Sequence, residues 1–225
     1  MVQKSNQIRD YDRLARHVDR RLALYARETI SEALRIANLT GTEAILDTCC
    51  GTGELLQLIA LQGHRGTIIG VDFSETMLNV AIHRLRDYRA IVLKRGDIHD
   101  LQLPSDYFHL VFNTNAFRYL AKPKETLAEF RRVLRPHGRL ILVDLAANSR
   151  WTRLWTQFRQ LVRPMHRTLY RVQGLAELLR QSGFVVTRRK LWRVNFFWSV
   201  MLLEARNPAP TLRGNQRSAE QNPKP

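Results

Sequence analysis

The chain has 225 residues, 44% of them apolar, enough for one domain with a sizeable core. No stretch approaches the roughly 20 uninterrupted apolar residues of a membrane span, the first 21 residues are too charged for a secretory leader, and adjacent Cys49 and Cys50 build no disulfide framework, so a cytoplasmic protein is expected. The formal charge of +16 is uneven: residues 1–149 hold 21 basic and 17 acidic side chains, whereas residues 150–193 hold eleven basic ones against Glu177 alone.

In chain order, residues 8–37 carry apolar side chains at three- and four-residue steps and predict a helix, stopped by Gly41. AILD (44–47) predicts a short strand, Gly53 to Leu61 a helix, and GTIIGVD (66–72) a β-branched strand ending on Asp72. Ser74 is placed to cap a helix over 74–87. Strands are expected at 90–97 and 107–113, then a helix at 123–134 that opens on a proline and stops at Arg135-Pro136. A strand over 138–145, a basic insert over 146–170, a helix over 174–183 and two strands within 184–205 complete the pattern. The polar, proline-containing residues 207–225 are expected to be a disordered tail, which leaves 1–206 as one domain with an N-terminal helical cap over 1–40. Strands alternating with helices predict a Rossmann-like, doubly wound α/β fold: a mostly parallel seven-stranded sheet with an antiparallel edge strand and a helical cap. The last two strands have no helix between them and should pair antiparallel at one edge.

The segment ILDTCCGTGE (45–54) is the candidate ligand loop. Adjacent cysteines match neither a redox pair separated by two residues nor a metal site, so no metal is expected. A P-loop would end in Gly-Lys-Ser/Thr, but this loop ends Gly53-Glu54; the dinucleotide fingerprint fits Gly51 and Gly53, but Leu56 stands at its third glycine. Asp72, 21 residues after Gly51 at the end of the next strand, can accept hydrogen bonds from a ribose diol. A ribose with acid rather than lysine nearby points to a cationic nucleoside, of which S-adenosylmethionine is the common one.

Four segments carry a family resemblance: ILDTCCGTG, VDFSETML, GDIHDLQLPSDYFHLVFN and RRVLRPHGRLILVDL. In this order and spacing they resemble the class I S-adenosylmethionine-dependent methyltransferases over roughly residues 40–145, and the double-cysteine loop is similar to the ubiquinone/menaquinone C-methyltransferase group. Cys49, Ala116 and Tyr119 stand where that group has glycine, glycine and asparagine, and Arg118 falls on its arginine. The resemblance implies that Asp47, Gly51 and Gly53 shape the pocket for the methionine end of S-adenosylmethionine, which leaves as S-adenosylhomocysteine. It implies that Asp72 holds the ribose, that Phe73 and Met77 pack near the adenine, and that Asp97 accepts from the adenine amino group with Ile98 against the ring. Asn113 would offer its backbone carbonyl to the ammonium. From the residues alone, Phe73 and Met77 could equally be core, while solvated strand-end acids are the lesser reading of Asp72 and Asp97. Cys49 and Cys50 read as small buried hydrophobes.

Methyl transfer needs a nucleophile held close and dry, with a base or anion-stabilising group for an aromatic hydroxyl or quinol-type carbon. Arg118, Tyr119 and His166 are the catalytic candidates, with Asp144, Asn148 and Tyr170 nearby. Arg118 could instead be a surface arginine paired with an acid. Trp151, Leu154, Trp155, Phe158, Leu161 and Val162 form a helical stripe flanked by arginines. That stripe over 150–163 reads either as a lid on a substrate pocket or as peripheral membrane contact; nucleic acid is a weaker partner. The expected function is methyl transfer to a hydrophobic small molecule (quinone-like, lipid or aromatic). An RNA methyltransferase and a non-catalytic cofactor-binding protein are the alternatives.

Overall fold

The computed structural model describes residues 20–147, 168–194 and 199–209. Seven strands form one sheet: β1 Ile45–Thr48, β2 Ile68–Asp72, β3 Ile91–Arg95, β4 Phe108–Thr114, β5 Leu134–Leu145, β6 Val185–Arg193 and β7 Ser199–Arg206. Their order is β3-β2-β1-β4-β5-β7-β6, with β1 to β5 parallel and β7 antiparallel to both β5 and β6. The last two strands pair antiparallel, as expected, but the reversed strand β7 lies one place in and β6 is the edge. Composition explains the placing. SVMLLEA of β7 is buried residue after residue, as a strand covered on both faces must be, whereas β6 alternates exposed arginines with half-buried positions.

Helices cover both faces: α1 Arg20–Ala37, α2 Glu54–Leu61 and α3 Glu75–Leu85 on one, α4 Pro123–Val133 and α5 Val172–Gln181 on the other. Alternate residues of each strand feed the two cores. Ile45, Leu110, Phe112, Ile141 and Val143 pack with Ala33, Leu56 and Ile59, while Leu46, Val111 and Leu142 pack with Leu127, Phe130 and Leu175. Helix α1 shares the first core through Tyr25, Ile30, Ala33 and Leu34, so its described part is a layer of the domain. Residues 8–19 of the expected helix lie outside the described residues, as do residues 148–167 of the insert.

Ser74 caps α3, its Oγ accepting from the Met77 N–H at 3.2 Å. Helix α4 stops at Val133 and the chain runs straight into β5, two residues before the Arg135-Pro136 stop. The expected loose tail does not begin at Asn207. That residue is buried, exchanges backbone hydrogen bonds with His137 and Gly138 at 2.8 Å each, and brings its amide to within 2.8 Å of the Leu134 carbonyl. It finishes a helix that lies more than 70 residues earlier in the chain, which composition cannot register.

Candidate active site

In an open α/β sheet the ligand crevice lies beyond the carboxyl ends of the strands where the order reverses, here between β1 and β4. Read across the sheet from β3 to β5, the strand ends carry Asp97, Asp72, Asp47, Asn113 and Asp144. The loop after β1 is tied to β2 by the Cys50 N–H, which donates to Val71 O at 3.0 Å. Three of its residues have left-handed backbones: Cys49 at φ 59°, Gly51 at φ 53° and Gly53 at φ 76°. At Gly53 a side chain would also crowd Leu85 and Ala81, its Cβ coming within 2.9 Å of Leu85 Cδ1 and 3.2 Å of Ala81 Cβ, so glycine suits the start of α2 on both counts. A Cβ at Gly51 would meet nothing within 4 Å, so backbone there faces open space.

Asp72 brackets the loop. Its Oδ2 accepts from the Gly51 N–H at 2.8 Å and its Oδ1 from the Ser74 N–H at 2.9 Å. Burial raises its pKa, and these backbone donors pull in the opposite direction. Asp47 is 1% exposed, and its Oδ1 has no hydrogen-bond partner among the described residues. Burial first, and the charge of Asp72 second, push the Asp47 carboxyl well above the usual range. Asn113 donates its amide to Thr48 Oγ1 at 3.0 Å, and its buried Oδ1 likewise lacks a partner, as does that of Asn115. These orphans are all acceptors. A buried carboxylate among unmatched acceptors fits a cationic, N–H-donating ligand. Burial and then Asp72, Asp47 and Asp97 raise the Cys49 thiol well above its ordinary value. It stays protonated, the opposite of a reactive cysteine. Phe73 and Met77 are half-buried, whereas Leu78 beside them is core. Ile98 is buried.

A second polar group lies at the ends of β4 and β5. The Arg118 guanidinium and its own N–H both bond Asp144, the latter to Oδ2 at 2.8 Å, and the Leu145 N–H donates to Asp144 Oδ1 at 2.7 Å. Both side chains are buried, so Arg118 does pair with an acid, but not at the surface. Its Cζ stands 4.5 Å from the Tyr119 ring centre. Tyr25 of α1 lies against this pair; its phenol pKa is raised by burial and by Asp144, and lowered by Arg118. Tyr170 is joined to the end of β5 through Ala147, whose N–H donates to Tyr170 O at 2.8 Å. Its ring centre lies 5.7 Å from that of Phe117. His166, Asn148 and the helical stripe over 150–163 lie outside the described residues.

A methyltransferase crystal structure from Bacillus halodurans shares the fold, with a TM-score of 0.71 at 18% identity, covering 81% of this chain and 100% of that one. Residues 45–138 match the family described as a methyltransferase domain. A demethylmenaquinone methyltransferase from Staphylococcus saprophyticus is 35% identical over 108 residues, which span 48% of this chain and 46% of that relative. Another demethylmenaquinone methyltransferase, from Symbiobacterium thermophilum, is 36% identical over 176 residues, covering 65% of this chain and 70% of its own length. The chain belongs to the class I S-adenosylmethionine-dependent methyltransferase family. This member of the family carries Cys49 in a backbone conformation that glycine adopts more readily.

Sequence reasoning missed Tyr25, Thr29 and Asn115, which the fold brings to the same end of the sheet. Thr29 is buried and accepts from the Asn115 amide at 2.8 Å, joining α1 to the end of β4. An aromatic and a threonine within a helix of apolar periodicity look like core alone, and only the packing shows that their polar atoms also meet the strand ends. His99 was also missed, although its spacing from Asp97 is the signature of a side chain closing on its own turn.

Proposed function

We propose that the protein transfers a methyl group from S-adenosylmethionine to a hydrophobic small-molecule acceptor of quinone type. The observation that carries this reading is the row of Asp47, Asp72 and Asp97 beside buried acceptors without donors, in a chain of the methyltransferase family. The cofactor supplies an electrophilic methyl group on a sulfonium. Everything else is positioning by this chain. Asp72 holds the ribose hydroxyls, and Asp97 accepts from the adenine amino group above Ile98, with Phe73 and Met77 alongside. Asp47 and the backbone of Gly51 and Gly53 shape the methionine end, and the Asn113 carbonyl meets the ammonium. Arg118, oriented by Asp144, stabilises the oxyanion that a quinol-type nucleophile carries, with Tyr119 and His166 as its companions. The quinone class is supported by the names of the relatives. Residues 150–163 are proposed as a lid or a peripheral contact with anionic membrane, where a lipid-soluble acceptor would be collected.

Calorimetry with S-adenosylhomocysteine tests the cofactor half. Asp72→Ala removes hydrogen bonds to a charged group, each worth about 1.5–3 kcal/mol, so affinity should fall about ten- to a hundred-fold. Unchanged binding would remove the ribose assignment. Mass spectrometry of lipid extracts, from cells with and without the gene, tests the acceptor half through a species shifted by one methyl group. A one-methyl shift found in RNA nucleosides instead would overturn the small-molecule reading.

A further inference from the structure

The turn after β3 holds His99, which the family resemblance leaves without a role, paired to Asp97. The Asp100 N–H donates to the Asp97 carbonyl at 3.0 Å and closes a tight turn. Within it, His99 directs two nitrogens to a single carboxylate oxygen: its backbone N–H lies 3.0 Å and its ring Nδ1 2.6 Å from Asp97 Oδ1. Facing a carboxylate oxygen, Nδ1 must carry the hydrogen in either charge state of the ring. The other ring nitrogen, Nε2, is buried and has no hydrogen-bond partner among the described residues. The imidazole therefore does its polar work at Asp97 alone. Without it, Oδ1 keeps the backbone N–H of His99 but loses its shortest donor, and a carboxylate side chain 40% exposed is held less firmly in one orientation.

We infer that His99 is a positioning residue for base recognition: it fixes Asp97 Oδ1, so that the carboxylate meets the adenine 6-amino group in one orientation. The inference rests on the proposed cofactor reading, in which Asp97 meets that amino group. It makes His99 a determinant of purine selectivity. A 6-amino group donates to a carboxylate, whereas a 6-oxo purine turns an oxygen towards it, and a site built for a donor rejects an analogue lacking one. The better fixed the carboxylate, the less it can swing aside or let water bridge the mismatch.

The test is calorimetric binding of S-adenosylhomocysteine and S-inosylhomocysteine to the full chain, to His99→Ala and to His99→Asn, with melting curves for each. The unaltered protein should prefer the adenine ligand by at least about ten-fold, one charge-assisted hydrogen bond in scale. His99→Ala should lower that preference several-fold. His99→Asn, whose amide can still donate to Oδ1, should keep most of it, and it carries the test should the alanine variant fail to fold. A His99→Ala protein with undiminished preference overturns the inference. So does one that loses both ligands equally along with its melting temperature, because that marks a merely structural role. If the unaltered protein binds neither ligand, the cofactor reading itself fails; if it binds both alike, that reading stands and the role of Asp97 and His99 falls.

Discussion

Replacing Arg118 by methionine leaves Asp144 buried, at 1% exposure, without its guanidinium partner. Breaking a buried ion pair from one side costs about 3–5 kcal/mol, because the remaining charge is neither solvated nor matched. The structure places this case at the lower end. Two of the three donors on Asp144 are backbone N–H groups, those of Arg118 and Leu145, and they survive the substitution. A loss of about 3 kcal/mol is expected, or roughly 6–12 °C in melting temperature for a chain of this size. Asp144→Leu should cost about as much by stranding the guanidinium. The double variant should cost clearly less than the sum, with a coupling energy of about 2 kcal/mol or more. Urea unfolding at neutral pH, read by tryptophan fluorescence and circular dichroism together, gives the four corners of the cycle. Additive losses, or an Arg118→Met protein within about 0.5 kcal/mol of the parent, would refute the buried pair and with it the orienting role given to Asp144.

Two further predictions follow from the acids. Asp47 has a raised pKa in the folded protein, so the native state holds its proton longer than the unfolded chain, and stability falls as pH rises from about 4 through that raised value. Asp47→Asn should therefore raise the melting temperature of the ligand-free protein at pH 7 while weakening S-adenosylmethionine binding; a drop in both would refute the assignment. Glu43 behaves in the opposite way. It accepts from the Thr40 N–H at 2.7 Å and the Gly41 N–H at 2.9 Å, and its pKa is lowered to about 2, burial opposing these bonds. Its contribution is complete above the unfolded value near 4.5 and is lost as pH falls towards 2. Glu43→Gln should cost about 1 kcal/mol near neutrality, a penalty that shrinks in acid scanning calorimetry; a pH-independent penalty would contradict this.

The sheet was legible because its signals are local. Ile68 to Val71 and Val200 to Ala205 are buried on both faces, and short β-branched or apolar runs between helical stretches can hardly be anything else. The acids at the ligand edge were legible for the same reason, since each stands at or within two residues of the end of its strand. What escaped depends on partners distant in the chain. Arg118 meets Asp144 across 26 residues, Asn115 meets Thr29 across 86, and Asn207 meets Leu134 across 73. A polar residue that finishes a remote helix has the same composition as one in a loose tail. The reversed strand was predicted at the border, whereas the uninterrupted burial of β7 puts it inside and leaves the arginine-bearing β6 to face water.

The insertion of β7 between β5 and β6 bears on how the protein is made. The partner of β5 on one side, β4, precedes it in the chain, while its other side must wait for residues 199–206, more than 50 residues later. At about 5–20 residues per second, that interval is on the order of 3–10 s, during which a long apolar border is open to any strand that drifts by. Truncation before Ser199 would make this transient hazard permanent. Early termination should therefore yield inclusion bodies rather than a smaller soluble enzyme, and nascent chains of this length are natural clients for a chaperone that shields unpaired strands.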